Sequence, residues 1–168
     1  MKIAVITDNA LKDELLAQGL QEFAEVQWLD EPAMISGAGY YIDLLFTPTE
    51  ERIKNLQKLS TAVIIINAVS TTLKELPQNF VRINGWHSFL KRAIVEASCA
   101  NDKIKSTIEN LFLAFNKKTE WMPDIPGFVS ARVVSMIINE AYYTLEEKVS
   151  TKGEWRGEMK KSLGRFAE

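Results

Sequence analysis

The chain carries a single histidine, His87, and nine residues further on a glutamate, Glu96, that follows an Ile-Val pair. An imidazole with a carboxylate hydrogen-bonded to its far nitrogen makes a general base near neutral pH. The carboxylate fixes the tautomer and stabilises the imidazolium that forms. The bland alternative is that His87 is a polar loop residue and Glu96 an exposed strand residue. Thr71, in Ser70-Thr71-Thr72, sits in a cluster of the kind that marks a turn or cap. Asp30 closes the second expected strand, as acidic residues often do.

Other chemistries are disfavoured by composition. One histidine and one cysteine do not supply a zinc site made by the protein itself, so no metal is expected. A formal net charge of −2 with scattered basic residues leaves no footprint for nucleic acid. Cys99 has no partner for an internal disulfide, fits a reducing compartment, and reads as a small buried hydrophobe. Apolar runs such as Val63–Ile66 are far too short to span a bilayer. The opening MKIAVITD enters an apolar strand without a basic leader region. A cytoplasmic protein without a membrane partner is expected.

These side chains need a scaffold, and the apolar pattern describes one. Strands are expected at 2–7, 25–30, 40–46 and 62–67, with helices at 10–18 and 50–58 between them. Continuous apolar strands alternating with helices predict a mostly parallel sheet covered on both faces, an α/β fold. After Pro77 two strands, 80–86 and 93–98, are joined by the short loop 88–92. An amphipathic helix follows at 101–115, then an extended piece at 119–122. Pro123-Asp124-Ile125-Pro126-Gly127 leads into a long helix to about residue 149, apolar nearly all round in its first half. A charged segment, 153–166, closes the chain. Residues 1–122 and 123–168 are therefore read as a sheet domain and a helical segment.

The stretch DIPGFVSARVVSMIINEAYYTLEEKVST, 124–151, resembles the opening of the C-terminal domain of 3-hydroxyacyl-CoA dehydrogenases. Pro126-Gly127-Phe128, Arg132, Asn139-Glu140-Ala141 and Leu145-Glu146-Glu147 match in register. Upstream, Val69-Ser70-Thr71-Thr72-Leu73 is similar to the family's Asn-Thr-Ser-Ser-Leu. Gly85-Trp86-His87 and Ile94-Val95-Glu96 are similar to its catalytic His strand and Leu-Val-Glu strand. The resemblance runs from about residue 61 to 151; earlier it rests on element order.

The resemblance implies a Rossmann-like fold and hydride transfer between a 3-hydroxyacyl-CoA and NAD. His87 would be the base, Glu96 its orienting carboxylate, Thr71 a contact to the substrate oxygen and Asp30 a ligand of the cofactor ribose. It also implies an acyl-CoA-type substrate and a homodimer through the long helix, whose apolar surface would be costly to leave in water. The sequence departs from the family's pattern at four places. Counted from His87, the loop 88–92 is about three residues short, and Ala131 replaces an asparagine. The segment 31–39 replaces a helix and a strand. Above all, the first turn, Thr7–Lys12, has no glycine where a dinucleotide fold has G-x-G-x-x-G, and Asp8 is set to cap the helix there. Three readings stand: a compact NAD-dependent dehydrogenase, a non-catalytic binding or dimerisation module on the same fold, and a reductase acting on another carbonyl or imine.

Overall fold

A computed structural model describes residues 1–59, 63–148, 151, 153, 154 and 157. The expected strand start at 62, the expected helix end at 149 and most of the charged segment 153–166, including Trp155, lie outside these residues.

Seven strands form one sheet: β1 Lys2–Ile6, β2 Glu25–Leu29, β3 Tyr40–Asp43, β4 Ile64–Asn67, β5 Phe80–Ile83, β6 Ile94–Cys99 and β7 Lys118–Trp121. Their spatial order is β2-β1-β3-β4-β5-β6-β7. The first five run parallel; β6 lies antiparallel to β5 and β7 parallel to β6. Among the described residues, the α-helices of two turns or more are α1 Asn9–Leu16, α2 Glu50–Leu59, α3 Lys105–Leu113 and α4 Ser130–Glu146. This is the expected Rossmann-like α/β architecture, with a C-terminal helix.

The apolar strands are continuous because each has two buried faces. In β4, Ile65 joins a cluster with Ile3, Val5, Leu15, Ile108 and Phe112, whereas Ile64 and Ile66 join one with Ile6, Leu56 and Phe80 on the other side. Leu15 of α1 and Phe112 of α3 thus cover one face, and Leu56 of α2 covers the other.

Two compact units are present, Met1–Phe128 and Val129–Glu168. The first extends through the Pro-rich turn because Arg82, fully buried on β5, reaches it. Its guanidinium donates to the carbonyls of Ala68 at 2.9 Å and Val69 at 3.1 Å, pairs with Asp124, and lies 4.7 Å from the Phe128 ring. Asp124 also accepts from the Leu73 N–H at 2.9 Å, and the Gly127 N–H donates to Val69 at 2.7 Å. The second unit contains α4. Among the described residues, no helix is long and apolar enough to cross a membrane.

One strand ends earlier than the sequence pattern suggests. β5 stops at Ile83, short of Trp86. Asn67 explains the stop: its side-chain oxygen accepts from the Gly85 N–H at 3.0 Å, and its nitrogen donates to the Gly85 carbonyl at 3.2 Å. That clamp removes Gly85 from the ladder. A Cβ there would lie 2.8 Å from Asn67 Cγ, so only glycine fits without a shift.

Candidate functional site

The strand order places a switch point at β1, whose neighbours β2 and β3 lie on opposite sides. In open α/β sheets a ligand crevice forms beyond the carboxyl ends of the strands at such a point. The turn Thr7–Asp8 stands there. Asp8 is the N-cap of α1, with extended backbone, and its Oδ1 accepts from the Leu11 N–H at 2.8 Å. A side-chain oxygen in that position satisfies one of the free donors of the first helical turn and is worth about 1 kcal/mol. It also puts a negative charge where a pyrophosphate would seek the N–H groups and the positive helix end. Among the described residues, the glycines with positive φ are Gly19, Gly37 and Gly127, none of them in this turn. These residues do not fit a dinucleotide's pyrophosphate: the donor is taken, and a carboxylate repels a second anion.

Asp30 is exposed just beyond β2. The carboxylate engaged nearby belongs to Glu31, which accepts from Arg52 at 2.6 Å. Arg52 in turn grips the fully buried Asp43 at the end of β3 through Nε at 2.8 Å and Nη2 at 2.9 Å. Burial pushes the Asp43 carboxyl above its ordinary range, against the pull of Arg52. A polar groove of about 200 Å³ opens here, lined by Glu31, Thr47, Thr49, Glu51, Arg52 and Asn55. With Arg52 already neutralised, the groove has no free cation for a phosphate.

Thr71 is half-buried beyond β4. The capping work falls to its neighbour: Thr72 heads a 3-10 turn, Leu73–Glu75, and shares its hydroxyl and N–H with the Glu75 carboxylate at 3.2 and 3.4 Å.

His87 and Glu96 are not brought together. The antiparallel register of β5 and β6 pairs Ile83 with Ala97, and the Asn84 N–H donates to the Glu96 carbonyl at 3.0 Å. Asn84 is therefore the residue across from Glu96. Both are buried, and Asn84 Nδ2 donates to Glu96 Oε2 at 2.8 Å. His87 lies three residues on, in the loop, with its side chain 64% exposed; its Nδ1 is 3.4 Å from Glu14 of α1. The same Glu14 carboxylate accepts from the Ser88 N–H at 2.9 Å and holds that residue at φ 73°, a left-handed conformation seldom taken without glycine.

Asn84 was not among the residues singled out from sequence, yet a signal for it was present. The loop after His87 is about three residues shorter than the resemblance requires. Counting from Asn84, which precedes His87 by three, removes the shortfall. In that register Asn84, not His87, would take the place that the resemblance implies for a histidine. An amide has no basic lone pair at working pH; it orients a carboxylate or a ligand oxygen but does not take a proton. Ala131, buried in α4, likewise brings only a methyl group where the family has an amide.

Such a sheet, with its crevice and this element order, defines a Rossmann-like α/β protein of the architecture shared by NAD(P)-dependent dehydrogenases. No protein-family model and no curated protein matches the chain. Among solved structures, it is similar to 5-formyl-3-hydroxy-2-methylpyridine 4-carboxylic acid 5-dehydrogenase, described as an NAD+ dependent dismutase. The TM-score is 0.74 at 15% identity, over 98% of this chain and 71% of that one. The (S)-3-hydroxybutyryl-CoA dehydrogenase of Ralstonia eutropha gives 0.69 at 13%, over 97% and 77%. The 3-hydroxybutyryl-CoA dehydrogenase of Escherichia coli K12 gives 0.67 at 15%, over 89% and 44%. At such identities the likeness is one of fold, and at that level it agrees with the resemblance read from the motifs.

Proposed function

We propose that this chain is a non-catalytic binding module built on the dehydrogenase fold, with its dinucleotide site closed from within. The observation that carries this reading is the buried Asn84–Glu96 pair at 2.8 Å. Oxidising an alcohol by hydride transfer needs a base touching the hydroxyl proton, and the residue facing Glu96 is a carboxamide. The Asp8 cap on α1 supports the same reading independently, because it occupies the donor that a pyrophosphate would use.

The second reading, an NAD-dependent 3-hydroxyacyl-CoA dehydrogenase with His87 as base, is favoured by the fold of the solved neighbours. It requires the His87 ring to leave Glu14 and a cofactor to displace the Asp8 carboxylate from Leu11.

Titration with NADH, followed by quenching of tryptophan fluorescence, separates the two. The wild type is expected to show no saturable binding and no turnover of 3-hydroxyacyl-CoA. Asp8→Gly is expected to gain measurable affinity, because it frees the helix N-terminus. Saturable micromolar binding by the wild type, with turnover abolished by His87→Ala, would establish the second reading instead.

A further inference from the structure

β2 is an outer strand of the sheet, paired on one side only. It follows β1 in one unbroken register, from Lys2–Glu25 to Ile6–Leu29, without a bulge or a proline. The Glu25 N–H donates to the Met1 carbonyl at 2.8 Å, and the Leu29 carbonyl accepts from the Thr7 N–H at 2.9 Å. Successive residues of a strand turn their backbone groups to alternate sides, so Val26 and Trp28 direct N–H and C=O outward. No described residue hydrogen-bonds to them there. An edge of this kind is a template for one more strand, and proteins commonly blunt it. The opposite edge is blunted: on β7 Lys118 and Glu120 pair with each other at 2.6 Å, and Thr119 between them is buried.

Side chains define what strand would fit. Val26 and Trp28 pack against the apolar cluster that Leu11 and Leu15 of α1 cover, so that face of an added strand must be apolar. Glu25 and Gln27 are exposed on the other face. From residue 22 to 31 every charged side chain is acidic: Glu22, Glu25, Asp30 and Glu31, all exposed. Glu25 meets Lys2 at 3.6 Å and Glu31 meets Arg52 at 2.6 Å. Glu22 and Asp30 have no ion pair among the described residues. We infer that the β2 edge takes up an extended segment of a partner protein in which apolar and basic residues alternate. The apolar ones lie beside Val26 and Trp28, the basic ones beside Glu25, and main-chain hydrogen bonds hold the segment in line. A second copy of this chain fits poorly, because β2 against β2 brings two acidic edges together. The inference does not depend on whether the crevice binds a nucleotide.

Amide hydrogen exchange of the full chain tests it, with the capped hexapeptide Lys-Val-Lys-Val-Lys-Val in excess at low salt as the probe. The Val26 and Trp28 amides are expected to exchange about tenfold more slowly when it is present. The acidic counterpart Glu-Val-Glu-Val-Glu-Val is expected to leave them unchanged. Val26→Pro is expected to abolish the protection of Trp28. Because the Val26 N–H points away from β1, that variant should keep its ladder and nearly its melting temperature. Glu22→Lys/Asp30→Lys, at exposed positions outside the ladder, is expected to weaken the basic peptide by about tenfold. Unchanged exchange with the basic peptide, equal protection by the acidic one, or protection that survives Val26→Pro would each overturn the inference. So would protection that rises with protein concentration alone, the sign of a second copy on the edge.

Discussion

Lys117 is fully buried just ahead of β7, and its ammonium donates to the carbonyls of Leu90 at 2.7 Å and Arg92 at 2.9 Å. It pins the far end of the loop whose near end Glu14 holds. Burial pushes its pKa down from the ordinary 10.5 to about 8, and Glu14 pulls weakly the other way. Below about pH 8 both folded and unfolded chains carry the proton, so the full cost of burying the charge is present. Between about 8 and 10.5 the unfolded chain binds more protons, and stability rises with pH. The gap in unfolding free energy between wild type and Lys117→Met should therefore move in favour of wild type from about pH 7 to about pH 10. Urea denaturation at several pH values reads this directly, and a flat difference would contradict it. Two further substitutions separate the residue beside Glu96 from the exposed one. Asn84→Ala takes a hydrogen-bond donor from a buried carboxylate and should cost about 1–3 kcal/mol. His87→Ala, at the surface, should stay within about 0.5 kcal/mol.

Among the elements, β4 and β5 are tied to their surroundings by polar side chains, Asn67 and Arg82. Asn67 clamps Gly85 and also donates to the Leu44 carbonyl at 3.1 Å, which ties β3, β4 and the segment after β5 together. Arg82 does the corresponding work for the Pro-rich turn. Because its guanidinium is wholly buried, Asp124 neutralises a charge that water cannot reach. Asp124→Ala should destabilise the protein by about 3–5 kcal/mol, the usual consequence of leaving a buried ion unpaired. Chemical denaturation measures it; a loss under about 1 kcal/mol would mean that the backbone carbonyls around Arg82 suffice.

For the whole molecule, every residue of the two apolar clusters lies before Phe128. A chain ended after Phe128 should therefore fold, keep an α/β circular-dichroism spectrum and melt cooperatively. A non-cooperative melt would show that the sheet unit needs Val129–Glu168 to complete its core.

The division between sequence and tertiary structure follows from how far each interaction reaches along the chain. Element types and the two-faced sheet were legible because hydrophobic periodicity is local: Val63–Ile66 reads as a buried parallel strand by itself. The cap at Asp8 was legible too, because its partner Leu11 is three residues away. The pairing of Glu96 was not. It depends on a strand register, and that register is decided by Asn67 holding Gly85 across 18 residues, and by Glu14 taking the His87 loop across more than 70. A base and its carboxylate can be guessed from residue types. Which side chain faces the carboxylate is settled only by the hydrogen bonds that end β5 at Ile83 and place Asn84 beside Glu96.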